Sequence, residues 1–133
     1  IAYVGDGAWG MSLNEVMTCV RENIPAVAVV FNNGQWGAEK KNQVDYFDNR
    51  FRGPNIKNPT CAEIAEAMGA NGITVEHVDE VGDALRGAAK SNRATVINLK
   101  LTQELGEPFR RDAFREPRRL LPKYRKYSAR AYR

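Results

Sequence analysis

Short apolar runs of strand length alternate with helical patterns along the first 105 residues. Four runs predict strands, namely IAYV (1–4), AVAVVF (26–31), GITVEHV (72–78) and ATVINLKL (94–101). Several are almost continuously apolar, which is typical of strands buried on both faces of a parallel sheet. Because helical patterns separate them, the sequence predicts an α/β fold with a doubly wound, mostly parallel sheet and helices on both faces.

Capping signals predict where the helices begin. Ser12 with Glu15 predicts a helix over 13–22, and Thr60 with Glu63 predicts one over CAEIAEAMG that ends at Gly69. DEVGDALRGAAKS (79–91) is a further helix before the last strand. The polar segment 38–59 predicts a helix in its first half and a loop in its second, and a long irregular segment of this kind usually serves a site or an interface.

The net charge of +4 is unevenly distributed along the 133 residues. Residues 106–133 hold ten Lys and Arg against three acids, whereas residues 1–105 hold ten against thirteen. We therefore expect one domain over 1–105 followed by a basic tail over 106–133 that packs on the domain or on a neighbouring subunit. A mildly acidic body disfavours a nucleic-acid-binding protein, which would carry its basic residues across the fold.

The remaining composition is that of a soluble globular protein. No apolar run approaches the roughly 18 residues that span a membrane, and no signal peptide is visible, so a cytoplasmic protein is expected. Cys19 and Cys61 stand alone without CxxC spacing, which favours ordinary packing thiols. A stand-alone nucleotide-binding module is disfavoured by the lack of a Walker loop.

Two polar motifs follow two consecutive predicted strands. GDG (5–7) follows the first strand and NNG (32–34) the second, and in open parallel sheets ligands bind at these carboxyl ends. The Asp6 carboxylate and the Asn33 amide oxygen can therefore converge, and such hard oxygen donors suit Mg²⁺. The glycines Gly5 and Gly7 and the helix predicted from Ser12 add a seat for a diphosphate, so a metal-bridged diphosphate is the expected ligand.

GDG followed after this interval by NN resembles the cofactor motif of the thiamine diphosphate-dependent decarboxylase and acetolactate synthase superfamily. The resemblance extends over 1–105 and includes LNEVMTCVRENIPAVAVVFNN. It implies that Asp6, Asn33 and the main-chain carbonyl of Gln35 hold Mg²⁺, and that backbone near Gly7 and Ala8 meets the diphosphate of thiamine diphosphate.

The tail segment ELGEPFRRDAFREPRRLLPKY is similar to the sulfoacetaldehyde acetyltransferase branch of this superfamily. That resemblance implies a reaction of sulfoacetaldehyde and phosphate that yields acetyl phosphate and sulfite, as in taurine and sulfonate breakdown. Acetolactate synthase, or another carboligase or decarboxylase of the same cofactor class, is the alternative. The family also implies a homodimer or homotetramer and an activating Glu from a separate upstream domain, so the catalytic residue is unknown here and this segment alone is expected to be inactive.

Several neighbours of the two motifs have open roles. Trp9, Met11 and Trp36 line a substrate channel or pack in the core or an interface, and the Gln35 side chain could face substrate. Glu39, Lys40 and Lys41 are expected on a solvated helix face, although a cation there would favour an anionic substrate. Four tail arginines either reach the active site or form surface salt bridges, namely Arg110, Arg111, Arg118 and Arg119. His77 is assigned no role.

Overall fold

The structure, a computed structural model, describes residues 1–106 of the chain. Its centre is a sheet of four parallel strands in the order β1-β2-β4-β3. The strands are β1 (Ala2–Gly5), β2 (Val27–Asn32), β3 (Asn71–Val75) and β4 (Thr95–Lys100). All four predicted strands are therefore present, each shifted or shortened by a few residues at its ends.

Five α-helices accompany the sheet in the described residues. They are α1 (Asp6–Ser12), α2 (Glu15–Arg21), α3 (Gly37–Tyr46), α4 (Cys61–Ala67) and α5 (Val81–Ser91). A 3-10 turn, Val78–Glu80, leads into α5. Over residues 1–106, none of these helices is both long enough and apolar enough to cross a membrane.

Two hydrophobic clusters cover the two faces of the sheet. On one face, side chains of α1, α2 and α4 pack against Val30 and Val96, with Trp9 at 7% exposure among them. On the other face, α5 packs through Ala88 against Val29 and Ile97. Alternate residues of β2 and β4 thus point to opposite clusters, as the period of a strand requires. This arrangement confirms the predicted α/β fold with helices on both faces.

The helix predicted over 13–22 is present as α2 over a shorter span, Glu15–Arg21, but the predicted Ser12–Glu15 capping box is wrong. The chain becomes helical at Asp6, directly after Gly5, whose backbone is extended (φ −75°, ψ 156°). A break at Leu13 and Asn14 then separates α1 from α2, and the start of α2 has no side-chain cap. Glycines have low helix propensity, so GDG read as a turn, but burial of Trp9 against the sheet makes that first segment helical.

The other predicted helices form close to where the sequence placed them. The Thr60–Glu63 capping box is present at the start of α4, which ends two residues before Gly69, a left-handed glycine with φ +88°. The strand predicted over 72–78 ends at Val75, because the chain turns there toward the 3-10 segment. The first half of segment 38–59 forms α3, and the second half is a loop, as expected.

Candidate functional site at the ends of the first two strands

The carboxyl ends of β1 and β2 lie side by side. Gly5 is in register with Phe31, so Asp6, which follows β1, and Asn32, the last residue of β2, are neighbours in space. The main-chain N–H of Gly34 donates a hydrogen bond to Asp6 Oδ2 at 3.0 Å. Two segments separated by 28 positions in the sequence are thus joined at one edge of the sheet.

Asp6 is an acidic side chain held out of solvent. It is 9% exposed, and its Oδ2 is occupied by the Gly34 amide. Within residues 1–106, no Lys, Arg or His forms an ion pair with it. A buried carboxylate is costly unless a cation or several hydrogen bonds compensate it, so Asp6 has the character of a ligand for a bound cation.

Asn33 and Gln35 present oxygens next to Asp6. Gln35 N donates to Asn33 Oδ1 at 3.2 Å, which leaves that oxygen a second lone pair. Gln35 is paired with Asn55 in an antiparallel bridge, whose bonds run from Trp36 N to Pro54 O and from Ile56 N to Gly34 O. In such a pair the N–H and C=O of the central residue point away from the partner strand. The Gln35 carbonyl therefore faces the side on which its N–H meets Asn33.

This donor set consists of a carboxylate, an amide oxygen and a main-chain carbonyl. No cluster of three or more His, Cys, Asp or Glu exists in residues 1–106, which argues against a Zn²⁺-type site in that part of the chain. All-oxygen donors with few protein ligands fit Mg²⁺, which takes its remaining oxygens from water and phosphate. The residues present thus fit the predicted metal.

The glycines of GDG differ in what surrounds them. A Cβ on Gly5 would meet nothing within 4 Å, whereas one on Gly7 would lie 2.8 Å from the Trp36 ring. Trp36 therefore packs over Gly7 and is itself 36% exposed. Open space at Gly5 leaves its backbone approachable by a ligand, while at Gly7 the missing side chain makes room for the indole.

Gly5, Gly7 and Gly10 also have the spacing of the dinucleotide-binding fingerprint GxGxxG. That fingerprint needs an acidic residue near the end of the second strand, where it binds the ribose. β2 ends instead in Asn32, followed by Asn33. The amide pair disfavours a dinucleotide and is compatible with a metal-bound diphosphate.

The Gln35 side chain is not free to face a substrate. It is 2% exposed, its Nε2 donates to Gln103 O at 2.9 Å, and its Oε1 accepts from Lys40 Nζ at 2.8 Å. The solvated helix face predicted for Lys40 is therefore wrong, because its ammonium group turns back to the loop. Glu39 is exposed, as expected, whereas the Lys41 side chain is only 23% exposed and pairs with Asp45.

Three residues beside the site, Asn32, Cys61 and Asn98, were not predicted to belong to it. Asn98 Oδ1 accepts from Asn32 Nδ2 at 2.8 Å and from Cys61 N at 3.3 Å. Cys61 and Asp6 line one cavity of about 50 Å³. The pKa of the Cys61 thiol is raised to about 11, first by burial and second by the charge of Asp6. A polar Asn inside the apolar run ATVINLKL was the one available signal.

The remaining predicted neighbours are dispersed. Trp9 packs in the core and also lines the small cavity beside Asp6, while Met11 is 72% exposed. His77 caps the 3-10 turn through its main-chain N–H. The four tail arginines, Arg110, Arg111, Arg118 and Arg119, lie outside the described residues, so their role stays a prediction.

Two curated relatives resemble this chain over nearly its whole length. The chain is 54% identical over 132 residues to sulfoacetaldehyde acetyltransferase of Castellaniella defragrans and 53% identical over 131 residues to that of Alcaligenes xylosoxydans xylosoxydans. Each match covers 96% of this chain and 22% of the relative, so the chain spans about a fifth of their length.

Among solved structures, benzoylformate decarboxylase from Polynucleobacter necessarius superposes with a TM-score of 0.73 at 26% identity, over 78% of this chain and 20% of that one. The family model described as thiamine pyrophosphate enzyme, C-terminal TPP binding domain, matches residues 1–99. This span contains the first three strands, β4 up to Leu99, and the site residues Asp6, Asn33 and Gln35. The chain belongs to the thiamine pyrophosphate enzyme family and carries its C-terminal TPP binding domain.

Proposed function

We propose that Asp6, Asn33 and the carbonyl of Gln35 hold Mg²⁺, and that the backbone of Gly5, Gly7 and Ala8 meets the diphosphate of thiamine diphosphate. Three observations support this assignment. Asp6 is buried without a cationic partner in residues 1–106, Asn33 Oδ1 keeps a free lone pair, and the Gln35 carbonyl points to the same side. A divalent ion would compensate the buried carboxylate and attract the diphosphate.

The start of α1 contributes to the same edge of the sheet. The first N–H groups of a helix have no partner within the helix, and those of α1 follow directly on Gly5. Open space around Gly5 leaves that backbone accessible. Residues 1–105 would thus form the diphosphate-binding domain, and residues 106–133 a basic tail that packs on this domain or on a neighbouring subunit.

The whole protein is proposed to convert sulfoacetaldehyde and phosphate into acetyl phosphate and sulfite. One observation carries the choice of substrate: the 54% identity to a sulfoacetaldehyde acetyltransferase extends over 96% of this chain, including most of the tail. Thiamine diphosphate would supply the nucleophilic carbon for the carbonyl chemistry. The part played by residues 1–106 is to bind and orient that cofactor, while the activating Glu would come from another domain.

The activity is tested on the full-length protein loaded with thiamine diphosphate and Mg²⁺. Sulfoacetaldehyde and phosphate should give acetyl phosphate and sulfite in equal amounts, measured by two separate assays. Production of acetolactate from pyruvate, with no sulfite from sulfoacetaldehyde, would instead identify a carboligase of the same family. That result would reject the substrate while leaving the cofactor assignment intact.

The metal site is tested by Asp6→Asn. We expect magnesium-dependent binding of thiamine diphosphate, followed by titration calorimetry, to weaken by on the order of 100-fold or more, because a neutral amide replaces the only buried anion at the site. Asp83→Asn is the matched control, since Asp83 is 83% exposed and pairs with Arg86 on α5. Unchanged binding in Asp6→Asn would remove Asp6 from the metal site.

A further inference from the structure

Asn98 is a polar side chain in the middle of an apolar strand. It is 1% exposed and lies between Ile97 and Leu99, which are both buried. Asn has a low preference for strands, and burying an amide without hydrogen-bond partners lowers the stability of a protein. The hydrogen bonds of Asn98 indicate why a polar side chain occupies the centre of the sheet.

The Asn98 carboxamide joins two other elements to β4. Its Oδ1 accepts from Asn32 Nδ2 at the end of β2 and from the main-chain N of Cys61 at the start of α4. The bond to Asn32 is the shorter, at 2.8 Å. Both lone pairs of one buried oxygen are therefore used to hold groups next to the Asp6 cavity.

Asn32 connects Asn98 to the loop that follows β2. Its Oδ1 accepts from Gly34 N at 3.1 Å, and the same N–H lies 3.0 Å from Asp6 Oδ2. Asn32 thus uses one end of its amide toward Asn98 and the other toward Gly34. Through Asn32, the buried Asn98 side chain thus holds the turn that carries Asn33 and Gln35, and it forms no hydrogen bond with either of these two proposed ligands.

We propose that Asn98 is a positioning residue of the cofactor site, acting through Asn32 to hold the loop 32–35 against Asp6. This inference rests on the proposed function, since it assigns a role toward the proposed metal site. Hydrogen bonds behind metal ligands typically change metal affinity on the order of 10–100-fold when removed. Losing Asn98 should therefore weaken magnesium binding without altering any group that would contact the ion.

The test compares Asn98→Leu with Thr95→Val in the full-length protein. Thr95 is equally buried, at 2%, but lies at the opposite end of β4 and bonds Arg93, Asn71 and Ser91. With saturating thiamine diphosphate, calorimetric titration of Mg²⁺ should give an affinity about 10–100-fold lower for Asn98→Leu and near wild type for Thr95→Val. Amide hydrogen exchange in cofactor-free protein should rise at residues 32–36 in Asn98→Leu only.

If Asn98→Leu does not fold, Asn32→Ala breaks the same link from the partly exposed side and should show the same two changes. Magnesium affinity and exchange at wild-type values in the folded variant would overturn the positioning role and leave the proposed function standing. An equal loss of magnesium affinity in Thr95→Val would also overturn the positioning role, because general destabilisation of the fold would then explain the loss in Asn98→Leu. A wild-type protein without magnesium-dependent binding would reject the proposed function, and the positioning role with it.

Discussion

The pKa of the Cys61 thiol is raised by burial and by the charge of the neighbouring Asp6 carboxylate. The thiol is 4% exposed and shares a small cavity with Asp6, and both burial and that charge disfavour the thiolate. Its raised pKa, about 11, means that the group stays neutral at physiological pH. A neutral thiol beside the proposed magnesium site neither competes for the metal nor reacts readily, which fits the packing role expected from the sequence.

Cys61 should therefore resist alkylation. With its pKa raised from the ordinary 9.0 to about 11, it holds about 100-fold less thiolate at pH 8 than an ordinary thiol. We expect iodoacetamide to modify Cys61 in native protein far more slowly than in urea, as measured by peptide mass spectrometry. In Asp6→Asn the native rate should rise, because the charge is gone. Rapid native labelling of Cys61 would contradict this account.

Among the elements, α4 has the best-defined start. Thr60 Oγ1 accepts from Glu63 N at 3.1 Å, and Glu63 Oε2 accepts from Thr60 N at 2.8 Å. The hydrogen bonds from the Thr60 side chain and then its backbone lower the pKa of Glu63. Because Cys61 N donates a hydrogen bond to Asn98 Oδ1, this cap also fixes the position of the start of α4 against Asn98.

Removing the cap should cost stability in a pH-dependent way. Thr60→Ala is expected to lower the free energy of unfolding by about 1 kcal/mol, the usual cost of losing a Thr cap. Since the folded pKa of Glu63 lies below 4.5, its contribution is present above that pH and lost as pH falls through the lowered value. In urea unfolding experiments between pH 7 and 3, the free energy of unfolding should fall less on acidification in Thr60→Ala than in wild type.

Thr60→Ser is the control for that experiment, because it keeps the hydroxyl and should retain most of the stability. A Thr60→Ala variant as stable as wild type at pH 7 would show that packing, rather than the cap, holds the start of α4.

At the scale of the molecule, the two faces of the sheet are covered unequally. α5 packs on β3 and β4, while no helix of residues 1–106 covers the same face of β1 and the end of β2. Tyr3 is 70% and Phe31 40% exposed, and their rings lie 6.5 Å apart. Together they form an apolar patch on this face of the sheet.

This patch should bind a hydrophobic dye. The 133-residue polypeptide expressed by itself is expected to enhance the fluorescence of anilinonaphthalene sulfonate, and Tyr3→Ser with Phe31→Ser should reduce that signal substantially. Val78→Ser is the matched control, since Val78 is 83% exposed but belongs to an isolated turn. An equal reduction in both variants would show that dye binding does not report on the sheet face.

Much of the fold could be predicted because its signals are local. Strand-length apolar runs, the Thr60–Glu63 box and Gly69 each act over a few residues, and the structure has them near the predicted positions. The start of α1 could not be predicted in this way. Its sequence, rich in glycine, favours a turn, and only burial of Trp9 against the sheet makes it a helix.

For the site, the sequence by itself determined the pairing of GDG with NN. Parallel strands bring their carboxyl ends to one edge, and so Asp6 and Gly34 meet without further information. Only the tertiary structure decided what holds that edge together. Asn98 lies 66 positions from Asn32, and Lys40 turns inward to Gln35, because long-range packing decides which polar groups are buried and must find partners.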